Sequence, residues 1–204
     1  MLLKVYRAMK LADKNIRIFM NITNKKRLSL ANLKKTRPYV DIYCSSALDL
    51  WHDYLTEFKA NGGVYFSYRI TTPDKTFPPL GNYRFMAIKA FNLGITGISR
   101  YSLTDFKNSA WTDLDASRAD ISLIYDSKTA PEGVSHHEAF IPSRRLFAWR
   151  DGVEDYVLLW LLKRKLPVAE FNAFAQKMLS ELTAAKNSDK LYKKYHLLML
   201  NKLK

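Results

Sequence analysis

Between residues 15 and 103, short β-branched and aromatic runs alternate with segments of helical period, and this alternation restricts the fold more than any other feature of the sequence. NIRIFMNI (15–22), YVDIYCS (39–45), VYFSYRI (64–70) and ITGISRYSL (95–103) read as strands. ALDLWHDYLTEFKANGG (47–63) places Leu48, Trp51, Tyr54, Leu55 and Phe58 at i, i+3, i+4 spacing and closes on Gly62 and Gly63, which predicts a helix. NYRFMAIKAFNLG (82–94) predicts another, ending at Gly94, and residues 2–14 suit a third. A basic connector runs to Arg37, and the Pro-rich TTPDKTFPPLG (71–81) reads as a loop. Parallel neighbours need a crossover and a helix supplies it, so the order predicts an α/β fold with a parallel sheet and covering helices.

After Leu103 the pattern changes. Residues 104–119 are polar and irregular around Trp111, DISLIYD (120–126) fits a short strand, and 127–141 reads as a loop holding His136, His137 and Glu138. Three helices then close the chain, at 142–165, 167–186 and 188–203, with Pro167 and Asn187-Ser188 as the breaks. Four strands preceded by a helix correspond to strands five to eight of a closed (β/α)₈ barrel, so the expected architecture is a partial TIM barrel followed by C-terminal helices. On that reading residues 1–165 form the C-terminal half of a barrel and 166–204 a helical extension packed on it.

At 204 residues with 48% apolar and 13% aromatic content, the chain carries enough apolar surface for a real core and is not a disordered segment. Its longest apolar runs, such as YVLLWLL (156–162), are far below the roughly 20 residues that span a bilayer, so no membrane partner is expected. The N-terminus MLLKVYRAMKLADK has charges throughout and lacks the apolar core and cleavage site of a signal peptide. As written the chain reads as cytoplasmic, although an intact parent protein is compatible with export. A single cysteine, Cys44, excludes an internal disulfide and a cysteine-based zinc cluster. The net charge of +14 is spread out, with clusters at Lys25, Lys26, Arg27, Lys34, Lys35 and Arg37 and at Lys190, Lys193, Lys194, Lys202 and Lys204. No helix-turn-helix, zinc finger or aromatic RNA motif accompanies it, so a solvated surface is the preferred reading over a nucleic-acid site.

PSRRLFAWRDGVEDYVLL (142–159) resembles the C-terminal signature of the glycoside hydrolase family 123 catalytic domain, also catalogued as domain of unknown function 4091. The family pattern has the form P-S-x-R-x-x-x-x-R-D-G-x-E-D-Y-x-x-L, and Pro142, Ser143, Arg145, Arg150, Asp151, Gly152, Glu154, Asp155, Tyr156 and Leu159 stand in those places. GGVYFSYRI is similar to the family's aromatic-rich strand seven, NYRFMAIKAFNLGITGISRYSL to its helix leading into strand eight, and WTDLDASRADISLIYDS to the loop and short strand that follow. The resemblance spans roughly residues 1–165. It implies a carbohydrate substrate and a substrate-assisted hydrolysis of N-acetylgalactosaminides, with an acidic general acid/base next to a residue that steadies the acetamido group. That adjacent pair belongs near the end of strand four, and no Asp-Glu or Asn-Glu dipeptide occurs here. Where the family tends to place a tryptophan at the end of strand eight, this chain has Tyr101, preceded by Arg100.

No catalytic residue, metal ligand or cofactor is therefore assigned from the sequence. Asp151, Glu154 and Asp155 share one helix face with Arg150 one turn from Glu154, a spacing that builds ion pairs rather than the opposed carboxylates of a glycosidase cleft. His136 and His137 have no completing ligand set, and Cys44 with His52 lacks an orienting third group. The expected substrate-binding residues lie at strand C-terminal ends and the next loop: Tyr43, Tyr68, Arg69, Arg100, Tyr101 and Trp111, with Asn21, Thr23 and Ser45 beside them. Strand alternation turns about half of such residues away from any pocket. The expected function is that of a fragment or truncated member of this hydrolase family, inactive alone and seeking its missing N-terminal barrel half or self-associating. The alternative is a non-catalytic basic α/β protein that binds carbohydrate, nucleic acid or a partner protein.

Overall fold

The computed structural model describes residues 2–22, 30–45, 63–69, 78–100, 103, 111, 122–132 and 140–204. Its contacts divide into two compact units, one formed by residues 1–70 and 95–100, the other by 71–94 and 101–204. The boundary expected at residue 165 falls inside the second unit, because the C-terminal helices share a core with the helices before it.

In the first unit, α1 (Leu2–Ala12) precedes β1 (Phe19–Ile22), α2 (Leu30–Thr36), β2 (Ile42–Ser45), β3 (Val64–Arg69) and β4 (Gly97–Arg100). The strands form one sheet in the order β1-β2-β3-β4, every pair parallel. The expected α/β class with a four-stranded parallel sheet is what the chain adopts. Residues 47–62 of the helix expected at 47–63, and the histidines at 52, 136 and 137, lie outside the described residues. The basic connector contains a helix that its charge concealed: Ala31, Lys34 and Lys35 are all good helix formers, and the segment forms α2.

Register fixes the two faces of the sheet. Asn21 pairs with Cys44, Cys44 with Phe66 and Tyr68 with Ser99, so these side chains share one face. Met20, Ile22, Tyr43, Ser45, Tyr65 and Ser67 occupy the other and are all buried. Asp41 ties α1 to this sheet. Its carboxylate accepts hydrogen bonds from Lys10 Nζ at 2.8 Å and from the Ile18 amide at 2.7 Å. Partial burial pushes the Asp41 carboxyl up, but those two bonds and the charges of Lys10 and Arg17 outweigh it and hold the group below its ordinary range. A carboxyl depressed in the folded state contributes stability above its unfolded pKa of about 4 and loses it as pH falls through the folded value. The Ile18 amide is therefore expected to stay protected from hydrogen exchange at about pH 5 and to lose protection well below about pH 4, whereas a Lys10→Met chain loses it at higher pH. Protection that is indifferent to both changes would rule out this tie.

The second unit opens with one π-type turn, Leu80–Arg84, running directly into α3 (Phe85–Asn92). Gly94 ends the segment with φ 64°, a left-handed conformation that suits glycine and was legible as a helix stop. A two-stranded antiparallel pair follows, β5 (Ile124–Asp126) and β6 (Phe140–Pro142), then α4 (Arg144–Lys165), α5 (Val168–Ala184) and α6 (Asp189–Leu203). Ser143 and Ser188 cap α4 and α6 by accepting the Leu146 and Leu191 amides, and Pro167 separates α4 from α5. Ile88, Leu159, Leu162, Phe171, Met178, Leu182, Tyr192 and Met199 form the core between α3, α4, α5 and α6. No helix among the described residues is long and apolar enough to cross a membrane.

Candidate functional site

Among the described residues, two groups of polar side chains stand out, one in each unit. In the first unit Asn21, Cys44, Tyr68 and Ser99 gather on one face of the sheet, toward the C-terminal ends of β1, β2, β3 and β4. Tyr68 is buried, and that burial raises its phenol above the ordinary range; a hydrogen bond with the Asn21 side chain opposes the shift, and nearby Cys44 adds to it. The phenol thus stays protonated at neutral pH and is able to donate. Burial likewise raises the Cys44 thiol, against a hydrogen bond with Ser99, so the group is a thiol and not a thiolate nucleophile. Cys44 is expected to react with a disulfide reagent at about pH 8 only when the chain unfolds; rapid labelling of the folded protein would show an open thiol.

Tyr43 is not part of this group. It sits one residue before Cys44, on the opposite face, and its hydroxyl is 2.6 Å from Thr36 Oγ1 at the end of α2. Two tyrosines that looked equivalent at strand ends are thus separated by the sheet, with Tyr43 engaged in packing the helix-covered side. Arg69 and Arg100 are aligned by backbone register across β3 and β4. Their side chains, and all of Tyr101 and Thr23, lie outside the described residues. Trp111 belongs to the second unit: its indole Nε1 donates to the Asp126 carbonyl at 2.9 Å and its ring stacks obliquely on Tyr125 at 4.6 Å. Arg145 reaches the Tyr125 hydroxyl at 3.0 Å, so Trp111, Tyr125 and Arg145 form one packed cluster.

The second group is the acidic face of α4. Arg84 Nε donates to Asp155 Oδ2 at 2.7 Å and Arg84 Nη2 to Asp155 Oδ1 at 3.2 Å, with Asp155 only 1% exposed. His196 Nδ1 lies 2.9 Å from Asp155 Oδ1, Asp151 is 3.5 Å from Arg84 Nη1, and the Tyr192 ring lies under the guanidinium at 5.0 Å. Burial drives the Tyr192 phenol well above its usual range, with Arg84 opposing and Asp155 adding to the shift. Arg150 meets Asp151 at 2.8 Å and Glu154 at 3.6 Å, the i+4 contact that the spacing predicts. Both Asp155 oxygens are engaged, so its position joins the Arg84 turn, α4 and α6 and offers no free base. Arg84 and His196 escaped the sequence reading. The signal for Arg84 was a cation beside Tyr83, Met86, Ala87 and Ile88 on a helix face otherwise fit for burial, since a buried guanidinium requires a carboxylate; His196 carried no such signal.

Of the C-terminal lysine cluster, Lys193 pairs with Asp189, Lys194 with Glu181 and Lys202 with Glu170, which reduces its value as a site for an anionic polymer. Among the described residues no group of His, Cys, Asp or Glu side chains is arranged to hold a metal ion. No protein-family model matches the chain, and no curated protein matches it.

Proposed function

We propose that the chain is the C-terminal half of a (β/α)₈ barrel from a glycoside hydrolase similar to family 123, acting on β-linked N-acetylhexosaminides of the N-acetylgalactosamine type. The observation that carries this reading is the consecutive, all-parallel order β1-β2-β3-β4. A barrel adds its strands in that order, whereas a doubly wound sheet reverses direction at a switch point. Asn21, Tyr68 and Ser99 then lie toward the strand ends at which barrel enzymes bind substrate. A protonated Tyr68 phenol and the Asn21 amide suit sugar hydroxyls and an acetamido oxygen, whereas Tyr43 stands on the opposite face of the sheet. In the parent reaction an acid protonates the leaving oxygen while the substrate's acetamido carbonyl attacks the anomeric carbon, and that acid comes from the other half.

Saturation-transfer NMR with N-acetylgalactosamine is expected to show transfer to the acetamido methyl that weakens in Tyr68→Phe. The chain alone is expected to release no nitrophenol from a nitrophenyl β-N-acetylgalactosaminide. Absent transfer would overturn the binding reading, and turnover by the chain alone would overturn the missing acid.

A further inference from the structure

The helix α4 is apolar on both of its sides. The side against α3, α5 and α6 carries Gly152, Asp155, Leu159 and Leu162. On the opposite side Val153, Val157, Trp160 and Leu161 follow at helical spacing and are each between 38% and 49% exposed. A helix that covers a core from one side has a polar outer face, whereas one that is apolar all round belongs between two layers. The stripe is also charged at its two ends, with opposite sign. Arg150, Asp151 and Glu154 form one ion-paired group at the N-terminal end, in which the acids outnumber the base. Lys163, Arg164 and Lys165 stand exposed at the C-terminal end, with the Arg164 guanidinium over the Trp160 indole at 4.5 Å.

We infer that this stripe docks a second copy of the chain, the two α4 helices lying antiparallel across a two-fold axis. Such an interface is self-complementary, so every contact is made twice. With the axis level with Leu159, Val157 of each copy lies opposite Leu161 of the other and Glu154 opposite Arg164, with Trp160 beside the axis. Arg150 then faces Val168, beyond the end of the helix, so like charges do not meet. The charge pattern selects this occupant. An acidic protein or a nucleic acid complements the basic end but meets Asp151 and Glu154 at the other, whereas an inverted copy complements both ends. The net charge of +14 is spread along the chain, and physiological salt screens exposed charges beyond about 8 Å, so the local pattern decides the pairing. Tryptophan and arginine are also the residues that anchor protein interfaces.

Sedimentation velocity of the full chain over a range of concentrations tests this. The parent chain is expected to form a dimer whose fraction rises with concentration, and Trp160→Gln combined with Val157→Gln to weaken it by roughly 30-fold. The circular dichroism of the double variant stays that of the parent, because both side chains are exposed. Two charge variants fix the geometry. Glu154→Lys alone and Arg164→Glu alone each set like charges against one another at both ends, and each is expected to weaken the dimer by roughly tenfold. An equimolar mixture of the two restores it, since the mixed pair has opposite charges at both ends. A parent chain that stays monomeric up to about 1 mM, the weak end of specific binding, overturns the inference. A dimer indifferent to the double variant places the contact on another surface and overturns it too. Dimers lost in both charge variants and not regained on mixing overturn the antiparallel arrangement.

Discussion

Replacing Asp155 with alanine is expected to destabilise the chain by about 3–5 kcal/mol in denaturant unfolding followed at the helical circular dichroism band. The size follows from what is left behind. Arg84 has 8% of its side chain exposed and turns Nε and Nη2 toward Asp155, so the variant keeps a buried guanidinium without its principal carboxylate. Asp151, at 3.5 Å and partly exposed, is too far and too solvated to replace it. The charge origin is isolated by a second variant, Arg84→Met with Asp155→Leu. Removing both charges together is expected to recover most of the loss, since a buried ion pair is often no better than an apolar pair of similar volume. His196→Asn is expected to cost only about 1 kcal/mol, the scale of one hydrogen bond at a partly exposed group. An Asp155→Ala chain within about 0.5 kcal/mol of the parent would mean that the buried network does not hold the unit together.

The route by which Asp155 acquires these partners shows how far the sequence is legible. Spacing within one element is readable: Arg150 and Glu154 stand at i, i+4 and meet, and the breaks at Pro167 and Ser188 coincide with the ends of α5 and α6. Partners from other elements are not. Arg84 lies 71 residues before Asp155 and His196 lies 41 after it, and no periodicity relates them. The sheet divides in the same way. Alternation shows that neighbouring residues on a strand oppose one another, but it does not name the covered face. It took the Cys44–Phe66 and Tyr68–Ser99 register, with Thr36 on the Tyr43 hydroxyl, to place Tyr43 on one side and Tyr68 on the other. Short pairings fail for a related reason. Phe140–Pro142 is too brief to show alternation, and its strand character comes from pairing with β5, so the sequence reads it as loop and helix start. The signature segment was legible as an ion-paired helix, while the reason for its glycine was not.

That glycine carries the second large effect. Gly152→Ala is expected to destabilise the chain by about 2 kcal/mol, although alanine is favoured over glycine within a helix by about 1 kcal/mol. A Cβ at this position would lie 2.8 Å from the Arg84 carbonyl oxygen and 2.9 Å from the Arg84 Cα, with the Ala87 Cβ at 3.3 Å. The two closest neighbours are backbone atoms, so no side-chain rotation relieves the contact and the helices must separate. Separation here acts on Arg84 itself, the residue whose guanidinium clamps Asp155. Steric and electrostatic roles of the signature therefore converge on one turn: glycine sets the distance at which the arginine reaches the aspartate. The two substitutions should consequently be less than additive, Gly152→Ala costing clearly less in an Asp155→Ala background than in the parent. Full additivity would separate the close approach from the ion pair. A Gly152→Ala chain as stable as the parent, or more so, would show that the contact relaxes freely and that helix propensity decides the outcome.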